Sequence, residues 1–408
     1  MNPFAPLVSD DLHVDADIAR ARTLPGRVYT DPAFFRAQRD GLFARSWQLV
    51  GEVGQVRVPG RVVPTTLLPG CLDEPVVLAR GLDDELRCLS NVCTHRGALV
   101  VEGEGHVNHL RCRYHGRRFE LDGRLRFMPE FEGVEGFPCP ADDLPRIPVE
   151  RWGPFLFASL DPAIPFDEWI APVRARTDWM PLDEFRFDPA TSRDYLIEAN
   201  WALYCDNYLE EFHIPYIHGR SLAELDYESY RTERFRWGNL QFGMGGGGGG
   251  RAPGGGEGGG GGPALGGGEG GGGSPAPGKG GGGVRGGFDL PPGHPDAGEP
   301  IEAFYFWLFP NLMLNFYPWG LSVNVVQPLS HGRTRVAFRS WVWRDDLRDR
   351  GLGADLHRVE MEDEEVVESV QRGLASRLYG RGRFSPRREV GTHHFHQLLS
   401  EWMRRGVE

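Results

Sequence analysis

Cysteine is scarce in this chain of 408 residues. Six thiols are too few to staple a scaffold of this length, which excludes a disulfide-dense fold and leaves them for metals or for burial. Basic residues are also in deficit: 45 Lys and Arg stand against 57 Asp and Glu, a formal charge of -12. Such a surface repels phosphate backbones and anionic membranes, so neither nucleic acid nor a membrane is an expected partner. No stretch approaches the roughly 20 apolar residues of a membrane span. The first residues, with Asp10, Asp11 and Asp15, lack the basic start and apolar run of a secretory signal. A cytoplasmic protein is the expectation.

With 40% hydrophobic and 25% charged residues, the chain can bury a large core and should divide into two domains. Residues 1–43 read as a leader that packs on the domain after it; Phe34, Phe35, Leu42 and Phe43 recur at helical spacing within 31–45. In residues 44–162, short strand-like runs such as 75–79 and 154–159 alternate with Gly, Pro and Asp turns, the pattern of a small all-β domain. Residues 163–408 hold a helical stretch at 200–212, β-rich runs between 303 and 344, and a helix over 355–377, the order of an α+β domain. Residues 243–287 are mostly glycine and cannot bury enough apolar surface to offset their ordering entropy, which predicts a flexible loop, either an active-site lid or a length-tolerant insertion.

The first chemical constellation is Cys93-Thr-His95, sixteen residues, then Cys112-Arg-Tyr-His115. Thiolates suit iron–sulfur centres and imidazole suits divalent iron, so two Cys on one iron and two His on the other describe a Rieske 2Fe–2S cluster. Cys93 and Cys112 should hold the inner iron, His95 and His115 the outer one. Gly97 and Gly116 follow the histidines and permit close backbone approach. A structural zinc site would more often read Cys-x2-Cys or His-x3–5-His.

The second constellation is Asp206-Asn-Tyr-Leu-Glu210-Glu-Phe-His213-Ile-Pro-Tyr-Ile-His218. Five residues apart on an unbroken helix, the two histidines would diverge by about 140°. Pro215 should disrupt the helix after His213 and fold His218 back. Two His and one carboxylate form the facial triad that leaves open positions on Fe(II). The third ligand is sought in the acidic stretch beyond residue 359, with Asp363 the leading candidate and Glu360 and Glu364 the alternatives. Asp206, Glu210 and His213 fall on one helical face, so Glu210 can hydrogen-bond outward while His213 is presented to iron. Asp206, Asn207 and Glu210 are the candidate catalytic residues.

Together these motifs resemble the Rieske non-haem iron ring-hydroxylating oxygenase α-subunit family over essentially the full length. The matching stretches are Asn91-Val-Cys93-Thr-His95-Arg-Gly97-Ala, Cys112-Arg-Tyr-His115-Gly116, Asp206 through His218, and Glu362-Asp363 through Gln371-Arg-Gly373. The resemblance implies an all-β Rieske domain followed by a helix-grip (START-like) catalytic domain with an antiparallel sheet. It also implies a head-to-tail homotrimer in which electrons pass from one chain's cluster to its neighbour's iron through a carboxylate at the position of Glu210. Most ring-hydroxylating members have Asp there; Glu is similar to the choline and carnitine oxygenase branch. Arg117 stands where the family commonly has Trp, and the glycine-rich segment replaces a region that often lines the substrate entrance.

The implied reaction activates O2 at Fe(II) with NAD(P)H electrons delivered by a reductase or ferredoxin, and hydroxylates or N-demethylates a small organic substrate. The aromatic runs 304–309 and 312–319 could line a pocket for a quaternary ammonium or a planar ring, though alternating aromatics are also ordinary strand core. An amine is slightly favoured over an aromatic ring, the dioxygenase alternative. A Rieske electron carrier with a non-catalytic ligand-binding domain would leave His213 and His218 unexplained. The remaining histidines, including His106, His109, His393, His394 and His396, are expected at the surface; Cys71, Cys88, Cys139 and Cys205 are expected as buried thiols. The purified protein should be red-brown, with a reduced-state electron paramagnetic resonance signal and a second iron site by metal analysis; a colourless zinc protein would refute both motifs.

Overall fold

Runs of β-branched and aromatic residues, punctuated by turn residues, fold into two groups of antiparallel sheet. The computed structural model describes residues 3–218, 225–245, 287–348, 350–353 and 356–405. The first group comprises β1 (Gln48–Glu52), β2 (Arg61–Leu67), β3 (Glu74–Arg80), β4 (Leu86–Ser90), β5 (Gly105–His106), β6 (Leu110–Arg111), β7 (Arg118–Phe119), β8 (Leu125–Phe127), β9 (Arg146–Ile147), β10 (Val149–Trp152) and β11 (Phe155–Ala158). They pair as β1-β11-β10, β5-β2-β3-β4-β9 and β6-β7-β8. Side chains alternate across a strand, so β3 serves two cores. Val77 and Ala79 pack with Cys93, Cys112 and Phe119, while Val76 and Leu78 pack with Val50, Cys88 and Leu156.

The second group is one seven-stranded sheet built from β12 (Arg186–Ile197), β13 (Arg231–Phe235), β14 (Gly238–Met244), β15 (Ile301–Leu308), β16 (Leu312–Tyr317), β17 (Gly320–Ser330) and β18 (Arg333–Val342). Its order is β12-β18-β17-β16-β15-β14-β13. Period-2 alternation divides its aromatics. Phe304 stacks toward Phe288 and Phe316 meets Trp152 of β10, whereas Trp307 packs on Phe395 and Tyr305 meets Tyr317. The aromatic runs are therefore both core and pocket, according to the face.

The helices are α1 (Arg27–Thr30), α2 (Pro32–Gly41), α3 (Phe166–Thr177), α4 (Trp201–Tyr208), α5 (Ile214–Ile217), α6 (Leu356–Leu374) and α7 (Val390–Arg405). Asp31 caps α2 by accepting from Ala33 N, and Pro32 fits the first turn, where its missing N–H costs nothing. The leader's hydrogen bonds reach far along the chain rather than to the neighbouring β domain. Trp201 Nε1 donates to Gln38 Oε1 (3.0 Å), Trp402 Nε1 to the Gly41 carbonyl (2.7 Å) and Ser400 Oγ to the Leu12 carbonyl (2.6 Å). One continuous core thus runs from Phe4 to Met403. Among the described residues, no helix is long and apolar enough to cross a membrane.

Several expectations are corrected. Strand β12 gives no sequence signal because it is a sheet edge with mostly exposed side chains and an internal Pro189. Helix α7 carries the histidine cluster inward: His393 and His396 are buried, holding the Asp15 carbonyl and Asp206, and only neighbouring His394 is part-exposed. Cys139 is exposed, unlike Cys71, Cys88 and Cys205. Gly243 and Met244 belong to β14 rather than to a loop, and the glycine-rich stretch 246–286 lies outside the described residues. Trp201, fully buried against Phe43 and Phe395, ties the leader to α7. Trp201→Ala should cost about 3–5 kcal/mol through cavity formation, measured as a lowered urea midpoint.

Candidate metal centres

Two equivalent loops present the first set of ligands. The Cys93 carbonyl accepts from Gly97 N (2.9 Å) and Cys93 N donates to the Ala98 carbonyl (2.8 Å). In the other loop, the Cys112 carbonyl accepts from Gly116 N (3.1 Å) and Cys112 N donates to the Arg117 carbonyl (2.8 Å). Gly97 and Gly116 adopt φ of 74° and 75°, and this left-handed backbone is what selects glycine at both positions. The thiols are buried while His95 and His115 are part-exposed, their Nδ1 atoms 3.1 Å apart. Sulfur inside and imidazole outside is the donor distribution a Rieske cluster needs, so these four residues fit the group.

Arg117 is no surface substitution. Its side chain is buried, donates to Asp142 Oδ1 (2.8 Å) and to the Asp142 carbonyl (3.0 Å), and lies over Phe119 and Phe137. Thr94 Oγ1 donates to the same carbonyl (2.6 Å), so Asp142 ties both cluster loops to a third segment.

The second set of ligands is placed differently from the sequence expectation. Helix α4, capped by Asn200 accepting from Ala202 N, stops at Tyr208. The chain breaks over 209–212, before His213, so Glu210 and His213 do not share a helical face. Pro215 starts a new turn rather than ending one: His213 is the N-cap of α5 and His218 its C-cap. One turn of helix with a histidine at each end aims both imidazoles the same way, their ring centroids 5.1 Å apart.

Asp363 supplies the oxygen on which they converge, from the interior of α6 rather than its first turn. His218 Nε2 lies 2.9 Å and His213 Nε2 3.4 Å from Asp363 Oδ1, and one ligand atom from each residue falls within 4.8 Å of the others. Glu360 and Glu364, the alternatives, are not in this group. The outward Nδ1 atoms meet carboxylates: His213 pairs with Glu210 Oε1 (2.6 Å) and His218 with Glu362 Oε2 (2.8 Å). Each carboxylate fixes the imidazole so that Nε2 points to the common centre. Sequence reasoning missed the part of Glu362, which only the fold brings to His218. Asn207 Nδ2 donates to Asp363 Oδ1 (2.7 Å), while Asp206 turns away to Tyr29 (3.1 Å) and His396 (2.9 Å).

Burial works against charge on all three ligands, yet charge wins. Asp363 and Glu210 push His213 up to about 9, and the two imidazoles hold Asp363 down to about 2. The centre is built to receive positive charge, and two imidazole nitrogens with one carboxylate oxygen suit Fe(II).

The ligands open onto a cavity of about 130 Å³, lined by Tyr204, Tyr208, Tyr230, Tyr305, Tyr317 and Glu360 among others. The hydroxyls are anchored: Tyr208 donates to Asn315 Oδ1 (2.6 Å), Tyr230 to Gln241 Oε1 (3.3 Å) and Tyr204 to Glu360 Oε2 (2.7 Å). Rings held at their hydroxyls leave faces for a ligand. A second cavity, about 240 Å³, shares Glu210, His213 and Asn207 with the first and reaches Tyr29, Asp206 and His396.

Comparison with known proteins agrees with this geometry. Residues 46–138 match the Rieske [2Fe-2S] domain and residues 182–405 the ring hydroxylating alpha subunit (catalytic domain). The chain is 31% identical to the chloroplastic choline monooxygenase of Arabidopsis thaliana, covering 94% of this chain and 83% of that protein. It is 28% identical to the carnitine monooxygenase oxygenase subunit of Escherichia coli K12, covering 95% of each. The solved quaternary ammonium Rieske monooxygenase CntA in complex with L-carnitine has the same fold, with a TM-score of 0.69, 23% identity, and 95% of this chain and 97% of that one covered.

His213→Ala and Asp363→Ala should each lose the mononuclear iron on dialysis while keeping the visible spectrum of the 2Fe–2S cluster. Iron retained at the wild-type ratio in both variants would refute the triad.

Proposed function

Because the chain belongs to the Rieske ring-hydroxylating oxygenase α-subunit family, we propose that it is the terminal oxygenase of a monooxygenase system acting on an N-methylated, quaternary ammonium substrate. The family is oxidoreductase, and its cofactors are the Rieske 2Fe–2S cluster and mononuclear Fe(II). The observation that carries the substrate reading is the convergence of His213, His218 and Asp363 at the wall of a cavity with five tyrosines. Tyrosine faces attract a cation that has no N–H to donate, by about 0.5–2 kcal/mol each depending on desolvation. The names of the choline and carnitine monooxygenases agree with this choice.

When bound, the cluster supplies single electrons and Fe(II) supplies the open positions at which O2 is reduced. The net change is R–H, O2, two electrons and two protons giving R–OH and water; hydroxylation at an N-methyl or N-methylene carbon also accounts for N-dealkylation. The protein's own groups set geometry. Glu210 and Glu362 hold the Nδ1 sides of the two imidazoles, Asn207 holds Asp363, and the tyrosine faces seat the substrate beside the ligands. Glu210 and His213 also line the second cavity. In a head-to-tail homotrimer, Glu210 is the electron bridge from the cluster of a neighbouring chain. The electron donor is a reductase or ferredoxin, and the two units of the chain divide at residues 162/163.

Purified enzyme given O2, NAD(P)H and a generic reductase should oxidise choline or carnitine in preference to aromatic acids; the reverse preference would overturn the substrate assignment. Glu210→Gln should lower turnover about 10- to 100-fold without slowing reduction of the cluster by the reductase. Turnover at the wild-type rate would remove Glu210 from the electron path.

A further inference from the structure

We propose that Glu360 is the counter-ion of the substrate, a specificity-determining carboxylate that pairs with the ammonium group in the tyrosine-lined cavity. This rests on the functional reading above and deepens it. Glu360 lies on α6 one turn before Asp363, is only 4% exposed and lines the same cavity as the three ligands. Its two oxygens are not equivalent. Oε2 accepts from the Tyr204 hydroxyl (2.7 Å), while Oε1 is buried with no hydrogen-bond partner.

A carboxylate taken out of water with half its hydrogen-bonding capacity unused is costly unless something completes it. No Arg or Lys among the described residues lining the cavity can do so. The other carboxylates there are engaged: Glu210 holds His213 and backbone N–H groups of 212 and 213, and Asp363 holds His213, His218 and Asn207. What is left to answer the Glu360 carboxylate is a positive charge from outside the protein. A ligand cation supplies that charge without an N–H, and the adjacent Tyr204 ring belongs to the same lining. Aromatic faces alone would tolerate a neutral group of equal shape; a buried carboxylate demands charge, which is how specificity is enforced.

The test separates charge from shape. Binding and turnover of choline and of 3,3-dimethylbutan-1-ol, in which a tert-butyl group replaces trimethylammonium, are measured with holoenzyme, wild type against Glu360→Gln and Glu360→Asp. The expected result is that wild type prefers choline, that Glu360→Gln weakens choline binding at least about tenfold with little change in kcat, and that the neutral isostere binds Glu360→Gln as well as it binds wild type or better. Glu360→Asp, which keeps the charge, should fall between. Wild type binding both compounds equally overturns the proposal. Equal losses for both compounds in Glu360→Gln, with cluster spectrum and iron content intact, assign Glu360 a structural role and overturn it too. Wild type that binds neither compound but oxidises aromatic acids overturns the ammonium reading itself, a different failure.

Discussion

Two imidazoles and one carboxylate must be held with their donor atoms at a single point, although burial opposes charge on each. The rest of the catalytic half is arranged around that constraint. Its solution is a one-turn helix carrying a histidine at either end, set against the middle of a long acidic helix. The charge imposed on the ligands is answered from outside by Glu210 and Glu362, so every Nδ1 is engaged and each Nε2 faces inward. A metal centre so prepared needs little reorganisation when it is filled.

The anchoring extends outward in layers. Asn207 and Tyr204 sit on α4, whose N-cap Asn200 also donates to carbonyls of Tyr29 in the leader and His331 in the sheet turn. Asp206, next to Asn207, joins Tyr29 to His396 on α7. Leader, α4 and α7 therefore form one polar and aromatic tie behind the ligands, and the buried histidines of α7 are part of it. The cluster loops have a comparable tie in Arg117 and Asp142, a buried cation bridging segments far apart in sequence. Arginine can do there what an aromatic side chain does by packing, because its planar head stacks on Phe119 and Phe137 while its nitrogens reach Asp142.

Legibility differed by element. The two Cys–His pairs and the two histidines that converge with Asp363 stand out in the sequence because metal chemistry restricts residue type and spacing within a local segment. The strands at 301–342 and the helix at 356–374 could be read because their apolar pattern is strong. The edge strand β12 could not, since exposed residues carry no alternation, and α7 was obscured by Thr392, His393 and His396 in its first half, polar residues that tertiary contacts then bury. Pro215 acts in the opposite sense to a helix breaker: proline is as well suited to begin a turn as to end one, and a spacing of five residues is compatible with either.

Residue identities alone determined the two metal chemistries, the family and the order of the two units, because thiol, imidazole and carboxylate donors are required whatever the surrounding fold. Which acidic residue of α6 reaches the centre was decided only by tertiary structure, since Glu360, Asp363 and Glu364 are neighbours in sequence but point to different surroundings around a helix. The same holds for the pairing of Glu362 with His218, 144 positions apart, and for the faces of the aromatic strands. Those are outcomes of packing distant segments together, and no local pattern encodes them.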